Sequence, residues 1–369
     1  MAISDDELAS QGEHSGHYPR YEAAALGFPN YWYPVMFSRT LRKKPIAITL
    51  LGRKIVVVRD QGKVYALQDR CAHRGIPLST GVRLSGETIT CPYHGWTYEL
   101  KSGRLVAVLT DVPNSGICGK ANVAVYPVEE RARLVWIYVG AGDPPPVEAD
   151  IPADLLSSDI VILGRAKLER GNWRIAAENG IDEAHARFLH RTGLWTLLRG
   201  PVAWTRFQNG LSDESEPWVT RTYQEVRSQD EYPYIGVWPR KKFWQFIRGT
   251  AREIGCRLPC ILRNGAQGKL MFYNWWVPID EKSYLRLMTM TLHARGLKAL
   301  GFRLWFWLYA RWARLILFSN QDLRMVQLTE TPPERLFRPD TSIIAWRKYC
   351  EEFARESQAS RHTAALQLK

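Results

Sequence analysis

Short apolar runs of three to six residues, rich in β-branched and aromatic side chains, recur from about residue 31 to residue 140. They are Ile46–Leu51, Lys54–Arg59, Val64–Gln68, Thr88–Thr90, Trp96–Glu99, Val123–Val128 and Leu134–Val139. Gly-containing turns such as Asp60-Gln61-Gly62 and Lys101-Ser102-Gly103 separate them. This pattern predicts the strands of a small all-β domain. A polar lead-in over residues 1–30 precedes it, with a short helix expected at Tyr21–Leu26 ahead of Gly27. The run Gly140-Ala141-Gly142-Asp143-Pro144-Pro145-Pro146 punctuates the chain as a linker. The reading therefore divides the chain into residues 1–30, 31–148 and 149–369. In the last of these, strands and helices mix. A helix is expected over Asn172–Leu189 and a hairpin over Lys269–His293 turning at Pro278-Ile279-Asp280-Glu281. The predicted class is α+β: an all-β first domain, then an antiparallel sheet with helices, of helix-grip type.

The segment Leu297–Phe318, LKALGFRLWFWLYARWARLILF, is apolar enough to raise the question of a membrane. Arg303, Arg311 and Arg314 interrupt it, and at about 100° per residue they fall within roughly an 80° arc, which makes an amphipathic helix with a basic stripe. Three mid-helix arginines would cost a spanning helix about 2.5–3.5 kcal/mol each. A packed helix of the second domain is the favoured reading, with an interfacial membrane helix as the alternative.

Composition bounds the class. The chain has 369 residues, 46% hydrophobic and 24% charged, with ample length for two cores. Its formal net charge is +13. The basic residues are dispersed, Leu41-Arg42-Lys43-Lys44 and Pro239-Arg240-Lys241-Lys242 being the nearest to clusters, and no nucleic-acid motif accompanies them. A solvated basic face accounts for most of this charge, and steering of an acidic electron-donor protein is the functional reading. The N-terminal MAISDDELASQGEHSGHYPR has no apolar core, so no signal peptide is expected. With only six cysteines, of which Cys118, Cys256, Cys260 and Cys350 show no framework spacing, a reducing cytoplasm is expected.

Chemistry concentrates in two places. Cys71-Ala72-His73 and Cys91-Pro92-Tyr93-His94 read C-x-H-x17-C-x-x-H, with Gly75 and Gly95 just beyond each His. Two thiolates and two imidazoles on paired tight turns are the ligand set of a Rieske [2Fe-2S] cluster, in which two His replace two Cys on one iron. Zinc sites also use Cys2His2, but they usually group like ligands together. The second place is Glu178-Asn179-Gly180-Ile181-Asp182-Glu183-Ala184-His185 followed by His190. Two His five apart lie about 140° apart on a regular helix, so they converge only where the helix ends or distorts, for which Arg191-Thr192-Gly193 supplies a stop near His190. Non-haem Fe(II) oxygenases use two His and one carboxylate, and Asp322 is the candidate third ligand. On a continuous helix Asp322 would point near Arg311, so a bend near Ser319-Asn320 or partly buried arginines are expected. Phe207, Trp238, Phe243, Trp244, Phe272, Tyr273 and Trp275 suggest an aromatic-lined cavity, although most strand aromatics are simply core. Arg240 and Lys241 could favour an anionic substrate, with surface solvation the plainer role.

Cys71-Ala72-His73-Arg74-Gly75, Cys91-Pro92-Tyr93-His94-Gly95-Trp96 and Asp182-x2-His185-x4-His190 resemble the signatures of Rieske non-haem iron oxygenases, terminal α-subunits. Leu26–Ser38, Glu178-Asn179-Gly180-x-Asp182, Trp276–Glu281 and Ala345-Trp346-Arg347-Lys348 are similar to the carbazole dioxygenase and oxoquinoline monooxygenase group. The likeness spans nearly the whole chain, with residues 295–320 a departure. The resemblance implies a [2Fe-2S] cluster on Cys71, His73, Cys91 and His94, and Fe(II) on His185, His190 and Asp322, with O2 as co-substrate. It implies a head-to-tail homotrimer fed with NAD(P)H electrons by a ferredoxin or a ferredoxin reductase. Asp182 would bridge His185 to a cluster His across the subunit boundary, and Asn179 would help position it. The expected activity is hydroxylation of an aromatic, heterocyclic or polycyclic small molecule. O-demethylation or another monooxygenation of a lipophilic or steroid-like compound is the alternative, and a pure Rieske electron carrier is the alternative of a different class.

Overall fold

The computed structural model describes residues 18–182, 185, 189–190, 205–213, 217–226, 253–265, 270–329, 334–336 and 340–355. These fall into two compact units. One comprises Leu26–Leu156 with Val277–Asp280 and Arg355; the other comprises the described residues before Leu26, those from Ser157 to Trp276, and those from Glu281 to Ala354.

The first unit is all β. Strands β1 (Tyr31–Phe37), β2 (Ile46–Leu50), β3 (Arg53–Asp60), β4 (Lys63–Gln68), β5 (Thr88–Thr90), β6 (Trp96–Glu99), β7 (Leu105–Val108), β8 (Val125–Tyr126), β9 (Val128–Arg131) and β10 (Leu134–Val139) build three antiparallel sheets. Their orders are β1-β10-β9, β2-β3-β4-β8 and β5-β6-β7. Six of the seven expected strands agree to within a residue at each end. Val123–Val128 is instead two strands, because Pro127 cannot continue the ladder. Strand β1 escaped the reading: all seven residues are buried, so no alternation marks it, and Pro34 sits at a register shift against β10. Val56, Val58, Leu67, Leu78, Ile89, Tyr98 and Leu105 form a core that includes Cys71 and Cys91.

The second unit is a seven-stranded sheet with helices. The sheet is made of β11 (Ile160–Arg170), β12 (Thr205–Leu211), β13 (Val219–Val226), β14 (Glu253–Arg257), β15 (Ile261–Gly265), β16 (Met271–Asp280, counted in this unit as far as Trp276) and β17 (Ser283–His293), in the order β11-β17-β16-β15-β14-β13-β12. The β16–β17 hairpin is where the apolar pattern placed it, and it turns at Glu281-Lys282. Its helices among the described residues include α1 (Pro19–Ala23), α2 (Trp173–Ile181), α3 (Gly296–Trp305), α4 (Ser319–Leu328) and α5 (Thr341–Phe353).

Helix α2 corrects the expected Asn172–Leu189 helix. The Asn172 side chain caps it by accepting the Arg174 N–H at 2.9 Å, and it ends at Asp182, whose backbone is extended (φ −68, ψ 116). Between α3 and α4 the helix winds through two π turns, Phe306–Ala310 and Ala313–Phe318. The expected bend near Ser319 is thus a change of winding upstream of it. Each π turn takes an extra residue, so Asp322 no longer follows Arg311. Two of the three arginines are partly buried as well: Arg314 lies over Phe272 and Phe318, and Arg311 over Trp307 and Trp312, while Arg303 is exposed.

Candidate metal centres

The two Cys-His loops are built alike. After β4, the Cys71 N–H donates to the Ile76 carbonyl at 2.8 Å and the Gly75 N–H returns to the Cys71 carbonyl at 2.9 Å. Between β5 and β6, Cys91 and Gly95 repeat this with the Trp96 and Cys91 carbonyls at 2.8 and 3.1 Å. Both turns need a residue at positive φ, +75 at Gly75 and +67 at Gly95. At Gly95 a Cβ would also lie 2.6 Å from the Leu109 side chain, so no larger residue fits there.

The loops present their donors with a clear polarity. Cys71 and Cys91 are buried at the inner end, while His73 is exposed and His94 half-buried at the outer end. The two imidazole rings meet edge to face with centroids 4.6 Å apart, and His73 stacks on Trp96 at 5.0 Å. The His94 Nδ1 is buried and has no hydrogen-bond partner among the described residues. Burial pushes the Cys91 thiol up, so a bare thiolate is disfavoured there until a cation joins it. The Tyr98 hydroxyl accepts the Ala72 N–H at 3.0 Å and lies 3.3 Å from the Cys71 Sγ. Its own proton is therefore available to the sulfur. These residues fit a [2Fe-2S] cluster: thiols inside, imidazoles outside, and a hydrogen-bond donor to one sulfur.

In the second unit His185, His190 and Asp322 come together, with their ligand atoms all within 4.8 Å of one another. His185 and Leu189 have helical backbone and His190 a turn, in keeping with the expected helix end near His190, while the break at Asp182 separates this stretch from α2. Asp182, freed from helical backbone, accepts from the His185 Nδ1 at 3.1 Å. The His190 Nδ1 meets the Gln321 Oε1 at 2.8 Å. Both rings therefore turn Nε2 toward the same atom, Asp322 Oδ1, at 3.5 Å from His185 and 2.9 Å from His190. With each Nδ1 proton engaged, lone pairs on two imidazoles and one carboxylate point at a single volume. A proton or a metal cation must lie there to hold them.

The surrounding charges support this. Burial would raise the Asp322 carboxyl, yet His185, His190 and the Arg286 guanidinium hold it well below the usual carboxylate range. Burial would lower His185, but Asp182 and Asp322 lift it to about 9. A metal would displace that proton. Arg286 Nη2 lies 3.4 Å from Asp322 Oδ2, Nη1 donates to the Ser319 carbonyl at 3.3 Å, and Nε to Asn274 Oδ1 at 3.4 Å. Beyond it Glu169, fully buried, sits 3.9 Å from Arg286, accepts the Tyr284 hydroxyl at 3.0 Å and pairs with Lys167 at 3.3 Å. Asp322 thus has one oxygen toward the histidines and the other tied to a buried cation.

Helix α2 is anchored so that Asp182 arrives in place. The Trp173 indole N–H reaches the carbonyls of Ala24 and Ala25 at 3.1 Å. Glu178 makes a two-pronged pair with Arg347 at 2.7 and 3.0 Å and accepts the Tyr21 hydroxyl at 2.9 Å. Gly180 lies so close to Trp276 that a Cβ would be 2.1 Å from its ring. Asn179 is half-buried on the last turn, three residues before Asp182.

Gln321, Arg286, Glu169 and Tyr284 were not singled out in the sequence. A lone Arg within the apolar run Tyr284–Thr291 was the one available signal. Tyr273 and Trp275 are buried in the sheet and Phe272 lies beneath Arg314, which makes them core rather than evident cavity lining. Trp238, Arg240, Lys241, Phe243 and Trp244 lie outside the described residues, as does Arg191-Thr192-Gly193.

Comparison with known proteins agrees with both centres. Residues 31–127 match the Rieske [2Fe-2S] domain, and residues 138–204 and 244–358 match the homotrimeric ring hydroxylase family. The terminal oxygenase component of carbazole 1,9a-dioxygenase from Metapseudomonas resinovorans is 33% identical over 93% of this chain and 95% of its own. The terminal oxygenase of carbazole 1,9a-dioxygenase from Nocardioides aromaticivorans superposes with TM-score 0.79 at 28% identity, covering 92% of this chain and 98% of that one. A carbazole-bound oxygenase in complex with its ferredoxin gives TM-score 0.81 at 28% identity, covering 99% and 98%.

Proposed function

Because this chain belongs to the Rieske non-haem iron oxygenases, as the terminal oxygenase of a ring-hydroxylating system, we propose that it hydroxylates an aromatic or polycyclic small molecule with electrons drawn from NAD(P)H through a ferredoxin. The observation that carries the reading is the presence in one chain of two donor sets. One is suited to carrying electrons; the other is a buried His2Asp set turned on a single volume. An electron carrier needs only the first.

Each residue has a role in this reading. Cys71, His73, Cys91 and His94 hold the cluster, and Tyr98 donates to the Cys71 sulfur. His185, His190 and Asp322 would hold the iron, which together with the cluster would supply reductive activation of O2. Gln321 and Asp182 keep the Nδ1 protons of the two imidazoles in place, so that each Nε2 lone pair faces inward. Asp182 is also the group through which His185 would be joined to the partner subunit's cluster in a homotrimer, with Asn179 positioning it. Arg286 engages the second Asp322 oxygen, Oδ2, so that Oδ1 is the carboxylate oxygen facing the two histidines. No helix among the described residues is long and apolar enough to cross a membrane.

The test is reconstitution with iron and sulfide, followed by an iron count and by NADH-driven O2 uptake with a ferredoxin and reductase over a panel of aromatic, heterocyclic and steroid compounds. About three irons per chain, with uptake stimulated by an aromatic member and matched by a hydroxylated product, is the expected result. About two irons, with a reducible cluster and no product from any compound, would make the chain an electron carrier.

A further inference from the structure

The helical run from Gly296 to Phe318 carries two apolar faces, and one core accounts for only one of them. Phe302, Phe306, Ala310 and Leu315 are buried against Val161 and Leu163 of β11 and Met288 and Met290 of β17. A surface helix is completed by a polar opposite face. Here the outward positions are Leu297, Leu300, Leu304, Trp307, Leu308 and Trp312, every one exposed, with Leu297 at 86% and Leu308 at 79%. Scattered exposed leucines are ordinary, but a contiguous stripe of this size marks an interaction surface.

The charges around the stripe identify its partner. From Arg295 to Gln321 the chain has five cations (Arg295, Lys298, Arg303, Arg311 and Arg314) and no Asp or Glu. At about 100° per residue, Lys298 and Arg303 fall on opposite flanks of the Leu297–Leu304–Leu308 line. Arg311 lies over the rings of Trp307 and Trp312 at 5.4 and 4.8 Å, at the rim of the stripe. An apolar strip with tryptophans, bordered on both sides by cations, is the arrangement of a helix lying in the headgroup plane of an anionic bilayer. A second copy of this chain is the poorer fit. The protein as a whole carries 50 basic against 37 acidic residues, so its own surface offers no acidic surplus to meet this rim. No described helix can span a membrane, so the contact is a surface one.

We propose that the Leu/Trp face of residues 296–318 docks the protein on an anionic lipid surface. The inference stands independently of the oxygenase reading, since it uses no residue of either metal centre. The reconstituted full-length protein should float with vesicles of phosphatidylcholine containing phosphatidylglycerol, at least tenfold more than with phosphatidylcholine alone, and less at high salt. Leu304→Asp with Leu308→Asp should lower flotation tenfold or more, as should Lys298→Glu with Arg303→Glu. All four positions are exposed, and an unchanged cluster spectrum would show that the variants are folded. Equal flotation with neutral and anionic vesicles would overturn the assignment to anionic lipid. Absence of flotation would overturn the proposal. If Leu304→Asp with Leu308→Asp also changed the oligomeric state, the face would belong to a second copy instead.

Discussion

Replacing Arg286 by Met should reveal how strongly the metal-ligand carboxylate depends on its buried cation. Arg286 lies 3.4 Å from Asp322 and 3.9 Å from Glu169. With an effective dielectric of about 20, these separations correspond to about 5 and about 4 kcal/mol of attraction, much of it offset by desolvation. The measurable loss on removing one partner of such a cluster is roughly 3–5 kcal/mol, because the other is left buried without its counter-charge. Glu169 retains Lys167 and the Tyr284 hydroxyl, so most of the loss falls on Asp322. Urea unfolding of the catalytic unit should show the full loss in metal-free protein and at least about 1 kcal/mol less with Fe(II), since the bound ion then faces the same carboxylate. The sign with pH follows from the depressed Asp322 carboxyl. Its stabilisation is present above the unfolded value of about 3.9 and fades as pH falls below it, so the penalty of Arg286→Met should shrink there too. A loss under about 1 kcal/mol in metal-free protein, or one equal with and without iron, would refute the reasoning.

Asp322→Ala should leave the visible spectrum of the cluster intact, take the iron count from about three to about two per chain, and abolish turnover; undiminished activity would remove Asp322 from the iron site. Tyr98→Phe deletes the donor to the Cys71 sulfur. If that bond favours the reduced cluster by about 1 kcal/mol, the potential measured by redox titration should drop by roughly 40 mV, the spectrum being otherwise retained. Gly180→Ala trades a helix-propensity gain of about 1 kcal/mol for a clash with the buried Trp276 ring, so thermal unfolding should report a net destabilisation of about 2 kcal/mol or more.

The cluster loops were fully legible in sequence because every donor lies within 24 residues of the others and each His is followed by its turn glycine. The iron site was legible only as residue types. The His185–His190 spacing points to a helix end near His190, where Leu189 does give way to a turn, but it gives no sign of the break at Asp182, where Gly180 packs on Trp276 and the carboxylate meets His185. Arg286 and Glu169 are joined to Asp322 only across strands, at separations no local pattern reports. Strand β1 was lost for the opposite reason: burial on both faces removes the alternation that announces a strand. The Trp/Arg helix reads in sequence as a packed amphipathic helix with one basic stripe, whereas it buries one apolar face and leaves Leu297, Leu304 and Leu308 of a second outside.

Because Gly296 to Leu328 is one unbroken helical rod, its length between Leu304 and Asp322 is under heavier constraint than its composition. One residue of helix is about 100° of rotation and 1.5 Å of rise. Deleting a single residue from Ala313–Phe318 would relax a π turn to α, and either the outer stripe or the Asp322 carboxylate would have to swing by that angle. The rod therefore tolerates substitution far better than insertion or deletion. Relatives that differ in length here must have re-aimed one end of it.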